Sequence, residues 1–126
     1  MKMKQIVATE KAPGAIGPYS QAVLAGNTLY VSGQLGADPA TGILPATVEE
    51  QAAKSLSNLK AILASAGMGT ENVVKTTVFL TDMGNFAAVN AVYSSVFSSD
   101  FPARSCVAVS ALPKGALVEI ECIAVK

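Results

Sequence analysis

A chain of 126 residues is long enough for one hydrophobic core and short for two, so a single domain over residues 1–126 is expected. Nine basic and nine acidic side chains cancel, and the basic ones are scattered, which argues against nucleic-acid binding. Histidine is absent, which excludes Ser-His-Asp and Cys-His catalysis and every His-ligated metal site.

The amino terminus reaches a glutamate and a lysine, Glu10 and Lys11, before any apolar stretch of signal-peptide length develops, which predicts a cytoplasmic protein. No apolar run approaches the roughly 18 residues of a membrane span. Gln5 to Ala8 reads as a strand, and Pro13, Gly14, Gly17 and Pro18 then shape a loop ending at Tyr19. Ala22 to Ala25 and Thr28 to Ser32 are strand-like, and Gly26-Asn27 between them suits a tight hairpin. Beyond Ser32 the glycines and Asp38-Pro39 predict consecutive turns. Ser32 and Gly33 either offer a hydroxyl and an unshielded N–H to a ligand or form a plain turn.

Thr47 and Glu50 have capping-box spacing. Ala52, Leu56, Leu59, Leu63 and Ala66 then repeat at helical intervals up to Gly67. Burying the three leucines contributes about 5 to 9 kcal/mol at most, which identifies that stripe as core. Val73 to Leu80 alternates like a β-strand. A second helix is expected from near Asp82, with Phe86, Val89, Tyr93, Val96 and Phe97 on one side and Asn90 beside them, until Phe101-Pro102 ends it.

Arg104 to Val109 and Leu117 to Val125 read as an antiparallel hairpin around Pro113-Lys114-Gly115. Alternation then puts Arg104, Cys106 and Ala108 on the face of Glu119, Glu121 and Ile123, pairing Cys106 with Glu121 and Ala108 with Glu119, although either glutamate remains a neighbour for the arginine. Arg104 is the chain's one arginine and lies in an apolar strand, so its guanidinium should be half-buried and meet an anion. That anion is either one of the chain's own carboxylates or the carboxylate of a small ligand. Cys106 and Cys122 lack metal or redox spacing and read as free thiols. Cys106 is a nucleophile or a small buried side chain, and Tyr19 and Glu121 are scaffold or site.

The expected architecture is α+β, a six-stranded, largely antiparallel sheet with two helices on one face. Its other face, carrying Thr77, Phe79 and the Arg104 to Ala108 row, has few charges, so other copies of the chain should cover it.

Several stretches together resemble the RidA family, also called the YjgF family, from end to end. They are Ile16-Gly17-Pro18-Tyr19-Ser20-Gln21-Ala22, Val31-Ser32-Gly33-Gln34, Asp38-Pro39 with Thr41-Gly42, Asn90-Ala91-Val92-Tyr93, Phe101-Pro102-Ala103-Arg104-Ser105-Cys106 and Val118-Glu119-Ile120-Glu121. The resemblance implies a chorismate-mutase-like fold and a homotrimer whose sheets form a central barrel, with three ligand clefts between subunits. It also implies hydrolysis of 2-imino acids and their enamine tautomers, such as 2-aminoacrylate and 2-aminocrotonate, to 2-oxo acids and ammonia, without a cofactor or metal of the protein's own. Arg104 would hold the substrate carboxylate, Glu119 would position water, and the backbone at Cys106 would polarise the imine. Tyr19, Ser32, Gly33 and Asn90 would shape the pocket. The competing readings are a trimer that senses small carboxylates without turnover and, as in some relatives, an RNA-cleaving translation inhibitor.

Overall fold

Six β-rich runs and two apolar helical stripes assemble into one sheet with helices against it in the computed structural model, which describes residues 3–126. The strands are β1 (Lys4–Val7), β2 (Ala22–Ala25), β3 (Thr28–Leu35), β4 (Val73–Leu80), β5 (Ala103–Ala108) and β6 (Val118–Val125). The helices are α1 (Val48–Ser65) and α2 (Phe86–Val96), and the sheet order is β1-β2-β3-β6-β4-β5.

The β2–β3 hairpin forms at Gly26-Asn27 as expected, with Gly26 at φ 62°. Strand β3 runs past Ser32 to Leu35 instead of stopping, because a bulge between Val31 and Gln34 carries the ladder with β6 across the glycine. Gly36 then lies against α1, where a Cβ would collide with the backbone of Gln51.

Helix α1 is capped as its sequence predicts: Thr47 Oγ1 accepts from Glu50 N and donates to Glu50 Oε1. It ends in a Schellman motif, with Met68 N bonded to Leu63 O and Gly67 N to Ala64 O, and Gly67 in the left-handed conformation at φ 72°. Ala52, Leu56, Leu59, Ile62 and Leu63 are buried against the sheet with Leu29, Val31, Val78, Ile120 and Cys122. Asp82 does not begin α2. It caps a 3-10 turn, Met83–Asn85, through Gly84 N, and α2 follows at Phe86.

The expected β5–β6 hairpin is not formed. β5 lies at the sheet edge, parallel to β4, whereas β6 enters between β3 and β4 and pairs antiparallel with both. Helix α2 is the crossover of a β4-α2-β5 unit, which makes those strands parallel, and the turn Pro113–Gly115 leads into the centre of the sheet. Four of the five pairings are antiparallel, so the sheet is mixed.

The new register also separates residues that the hairpin would have joined. Arg104 stands opposite Thr76 and Cys106 opposite Val78, both buried under the helices, so Arg104, Cys106 and Ala108 belong to the helix face. Glu119 and Glu121 stand opposite Phe79 and Thr77 on the other face. That face carries neither helix. It presents Ile6, Tyr30 and Val107, all exposed, with Ser105 in place of the predicted arginine row. Among the described residues no helix is long and apolar enough to cross a membrane.

Candidate active site

The residues singled out in the sequence fall into two groups. The first is built around Arg104 on edge strand β5. Its side chain is exposed, not half-buried, because no strand lies beyond β5. Helix α2 supplies what holds it. Phe86, Asn90 and Tyr93 follow at i, i+4 and i+7 and so share one side of the helix. Arg104 Nη1 donates to Asn90 Oδ1 at 2.7 Å, and the guanidinium carbon lies 4.9 Å from the Tyr93 ring centroid and 5.5 Å from that of Phe86. Among the described residues the one ion pair is Lys54 to Asp38, 3.7 Å apart, so Arg104 has no internal carboxylate. It borders an open cleft of about 440 Å³ with Asn90, Tyr93, Ser94, Phe101 and Pro102.

Cys106 lies two residues along the same face. Burial pushes its thiol up from the ordinary cysteine value, against a smaller downward pull from Arg104, so the protonated form is favoured. A thiol held in its protonated form is a weaker nucleophile than a thiolate. Cys122 is buried and free, and burial pushes it up to about 12.

The second group surrounds Glu119. Tyr19, Gly33 and Glu119 line a cavity of about 230 Å³ together with Pro13, Gln34 and Lys114. Gly33 makes room for the carboxylate: a Cβ there would stand 2.8 Å from Glu119 Cδ. Burial raises the Glu119 carboxyl above the usual range, and the like charge of Glu121 raises it further. Ser32 does not present a free hydroxyl proton to this cavity, since its Oγ donates to Ser20 O at 2.6 Å and ties the Tyr19 loop to β3.

Arg104 and Glu119 do not meet within one protomer. They lie two strands apart, about 10 Å across the sheet, about 10 Å apart along the strands, and on opposite faces. Three buried amides and a hydroxyl that the sequence reading passed over shape the second cavity. Gln21 accepts from Thr9 N and donates to Thr9 O and Pro13 O, fixing the loop before Tyr19. Gln51, Ser55 and Asn58 form a buried polar stripe on α1. Ser55 Oγ donates to Gln34 O, Asn58 Nδ2 to Leu35 O and Ala37 O, and Gln51 bonds both Pro45 O and Leu117 N. The signal was present in the sequence, because those three positions lie beside the Ala52, Leu56, Leu59 stripe. Helical spacing locates such residues but does not say that the adjoining loop needs donors.

Known proteins resemble this chain over nearly its whole length. The family model described as Endoribonuclease L-PSP matches residues 9–126. A goat (Capra hircus) protein named 2-iminobutanoate/2-iminopropanoate deaminase is 55% identical over 125 residues, covering 98% of this chain and 91% of its own. The crystal structure of RidA from the Antarctic bacterium Psychrobacter sp. PAMC 21119 superposes with a TM-score of 0.95 at 49% identity, covering 97% of this chain and 99% of that one. E. coli TdcF, solved with bound serine, gives 0.94 at 47% identity, with 97% and 98% covered.

Proposed function

Because the chain belongs to the Endoribonuclease L-PSP family, the RidA (YjgF) family that its motifs resemble, we propose that it is a 2-iminobutanoate/2-iminopropanoate deaminase. It hydrolyses 2-imino acids, in exchange with their enamine tautomers, to 2-oxo acids and ammonia. The observation that carries this reading is the state of Arg104: positioned by one amide oxygen and two rings, free of any internal carboxylate, and open to a cleft. Four of its five N–H donors remain for a ligand carboxylate, which a guanidinium grips through two parallel bonds.

The reaction needs little more. An iminium carbon is already electrophilic, so orientation and a placed water supply most of what is required. Water adds to the C=N carbon of the iminium and gives one proton to Glu119, which returns it to the carbinolamine nitrogen. The C–N bond then breaks as the hydroxyl gives its proton to Glu119, leaving the ketone, and the released ammonia takes up that proton and departs as ammonium. A carboxyl raised by burial is a better base than an ordinary glutamate, which suits that exchange. Tyr19 and Gly33 wall the Glu119 side, Asn90 steadies Arg104, and Ser32 holds the Tyr19 loop. The backbone of edge strand β5 at Cys106 polarises the imine nitrogen.

Both groups serve one substrate only if copies of the chain associate, since the arginine and the glutamate belong to opposite faces of the sheet. The reading is therefore a homotrimer of single RidA-like domains, residues 1–126. The uncovered faces close into a central barrel, and each of three clefts pairs Arg104 of one copy with Glu119 of the next. Two free thiols accord with a reducing, cytoplasmic setting. The family description refers to RNA cleavage, but zero net charge and a lone arginine give a phosphate backbone little to bind.

The deciding assay is release of 2-oxo acid from freshly generated 2-aminoacrylate. The chain should accelerate it, and Arg104→Ala should lose about 100-fold or more in kcat/KM, the worth of two charge-assisted bonds. Binding of 2-oxobutanoate with no acceleration would leave a carboxylate sensor in place of an enzyme, a reading favoured by the relative solved with bound serine.

A further inference from the structure

On the reading that Arg104 docks a ligand carboxylate, we propose that Tyr93 is a positioning residue: pinned from beneath by Thr76, its ring sets where the guanidinium stands while leaving its charge uncompensated.

A long cationic side chain on an exposed edge strand samples many rotamers unless something holds it. The usual holder, a carboxylate, would also neutralise it and compete with the substrate. Here the holders are neutral. Tyr93 is buried beneath the guanidinium, and Phe97 packs against it with the two rings tilted by 37° and their centroids 4.7 Å apart. Its hydroxyl meets Thr76 Oγ1 at 2.7 Å. Thr76 is fully buried in a row otherwise made of Val78 and Leu80, and it is the register partner of Arg104 itself. The phenol is thus fastened at the point of the sheet from which the arginine rises. A phenylalanine would fill the same space but lack that fastening, and a valine at position 76 would leave the buried phenol without a partner. A ring face attracts the cation without using any of its N–H donors, and only one donor goes to Asn90.

The chain has one arginine, so a 15N-edited NMR spectrum contains one arginine Nε–H signal, whose shift reads its place relative to the rings. In Tyr93→Leu that signal should move to the position of a free arginine. Affinity for 2-oxobutanoate should fall about tenfold, and KM for 2-iminobutanoate should rise by a similar factor with kcat changed less than about threefold, as expected for lost ground-state binding. Tyr93→Phe and Thr76→Val should each weaken 2-oxobutanoate binding about two- to fivefold, and the double variant should lose no more than either single one, because both substitutions remove the same hydroxyl pair. An unmoved arginine signal with unchanged affinity in Tyr93→Leu, or a lowered melting temperature alone, would make Tyr93 core and nothing more. Should Tyr93→Leu not fold, the two conservative variants and their double decide by the same signal and affinity, with additive losses or no losses overturning the proposal. Absence of deaminase activity in the wild type would defeat the enzymatic reading without touching this one, which the arginine signal tests independently.

Discussion

At Arg104 the neighbours are an amide oxygen and two rings; Glu119 is set against Gly33 in a partly enclosed cavity, with a second glutamate, Glu121, near enough to raise its carboxyl. One environment leaves a cation ready for an anion, and the other holds a proton more tightly than water would. The consequence for Glu119 can be followed with pH. Its carboxyl is raised in the folded chain, first by burial and then by Glu121, so the stability it contributes is complete below the ordinary glutamate value and is lost as pH rises through the raised one. Glu119→Gln should therefore match the wild-type melting temperature near about pH 4 and exceed it near about pH 8. In the deaminase assay the acid limb of kcat/KM should have its midpoint above about 4.3, the usual glutamate value, and Glu121→Gln should lower that midpoint by removing a like charge. A midpoint at the ordinary value, unmoved by Glu121→Gln, would mean that Glu119 does not act as the base.

Among the elements, α1 does more than fill the core. Its apolar stripe was readable from spacing alone, and so were its cap at Thr47 and its stop at Gly67. Its polar stripe became meaningful only once β3 continued through the bulge and brought Gln34, Leu35 and Ala37 beneath it. Asn58→Ala removes one buried and one part-buried hydrogen bond, to the carbonyls of Ala37 and Leu35, a loss of about 2 to 3 kcal/mol. The released segment follows Gly33 and lines the Glu119 cavity, so KM should rise as well. Denaturant unfolding and steady-state kinetics on the same variant test both effects. A stability loss with KM unchanged would show that the stripe supports the fold alone.

For the whole molecule, the separation of Arg104 and Glu119 makes a prediction that no single chain can satisfy. In a head-to-tail trimer, mixed refolding of Arg104→Ala with Glu119→Ala chains regenerates roughly a quarter of the clefts with both groups intact, and activity should return to about that fraction. Light scattering should give three times the mass of one chain. A monomer, or mixtures as inactive as their parents, would rule out a shared cleft. The sequence by itself determined which residues carry chemistry and which face of each element is apolar, because residue type, capping and periodicity are local properties. That is how Arg104 was marked as awaiting an anion, and why the two helices and six strands were found nearly where they form. Only the tertiary structure decided that β6 enters between β3 and β4 and that β5 runs parallel at the edge. Alternation fixes the face of a residue relative to its own strand, whereas its neighbours depend on which strands the crossover helices bring together. The predicted hairpin put the arginine and the glutamates on one surface, and the crossover through α2 placed them on opposite ones.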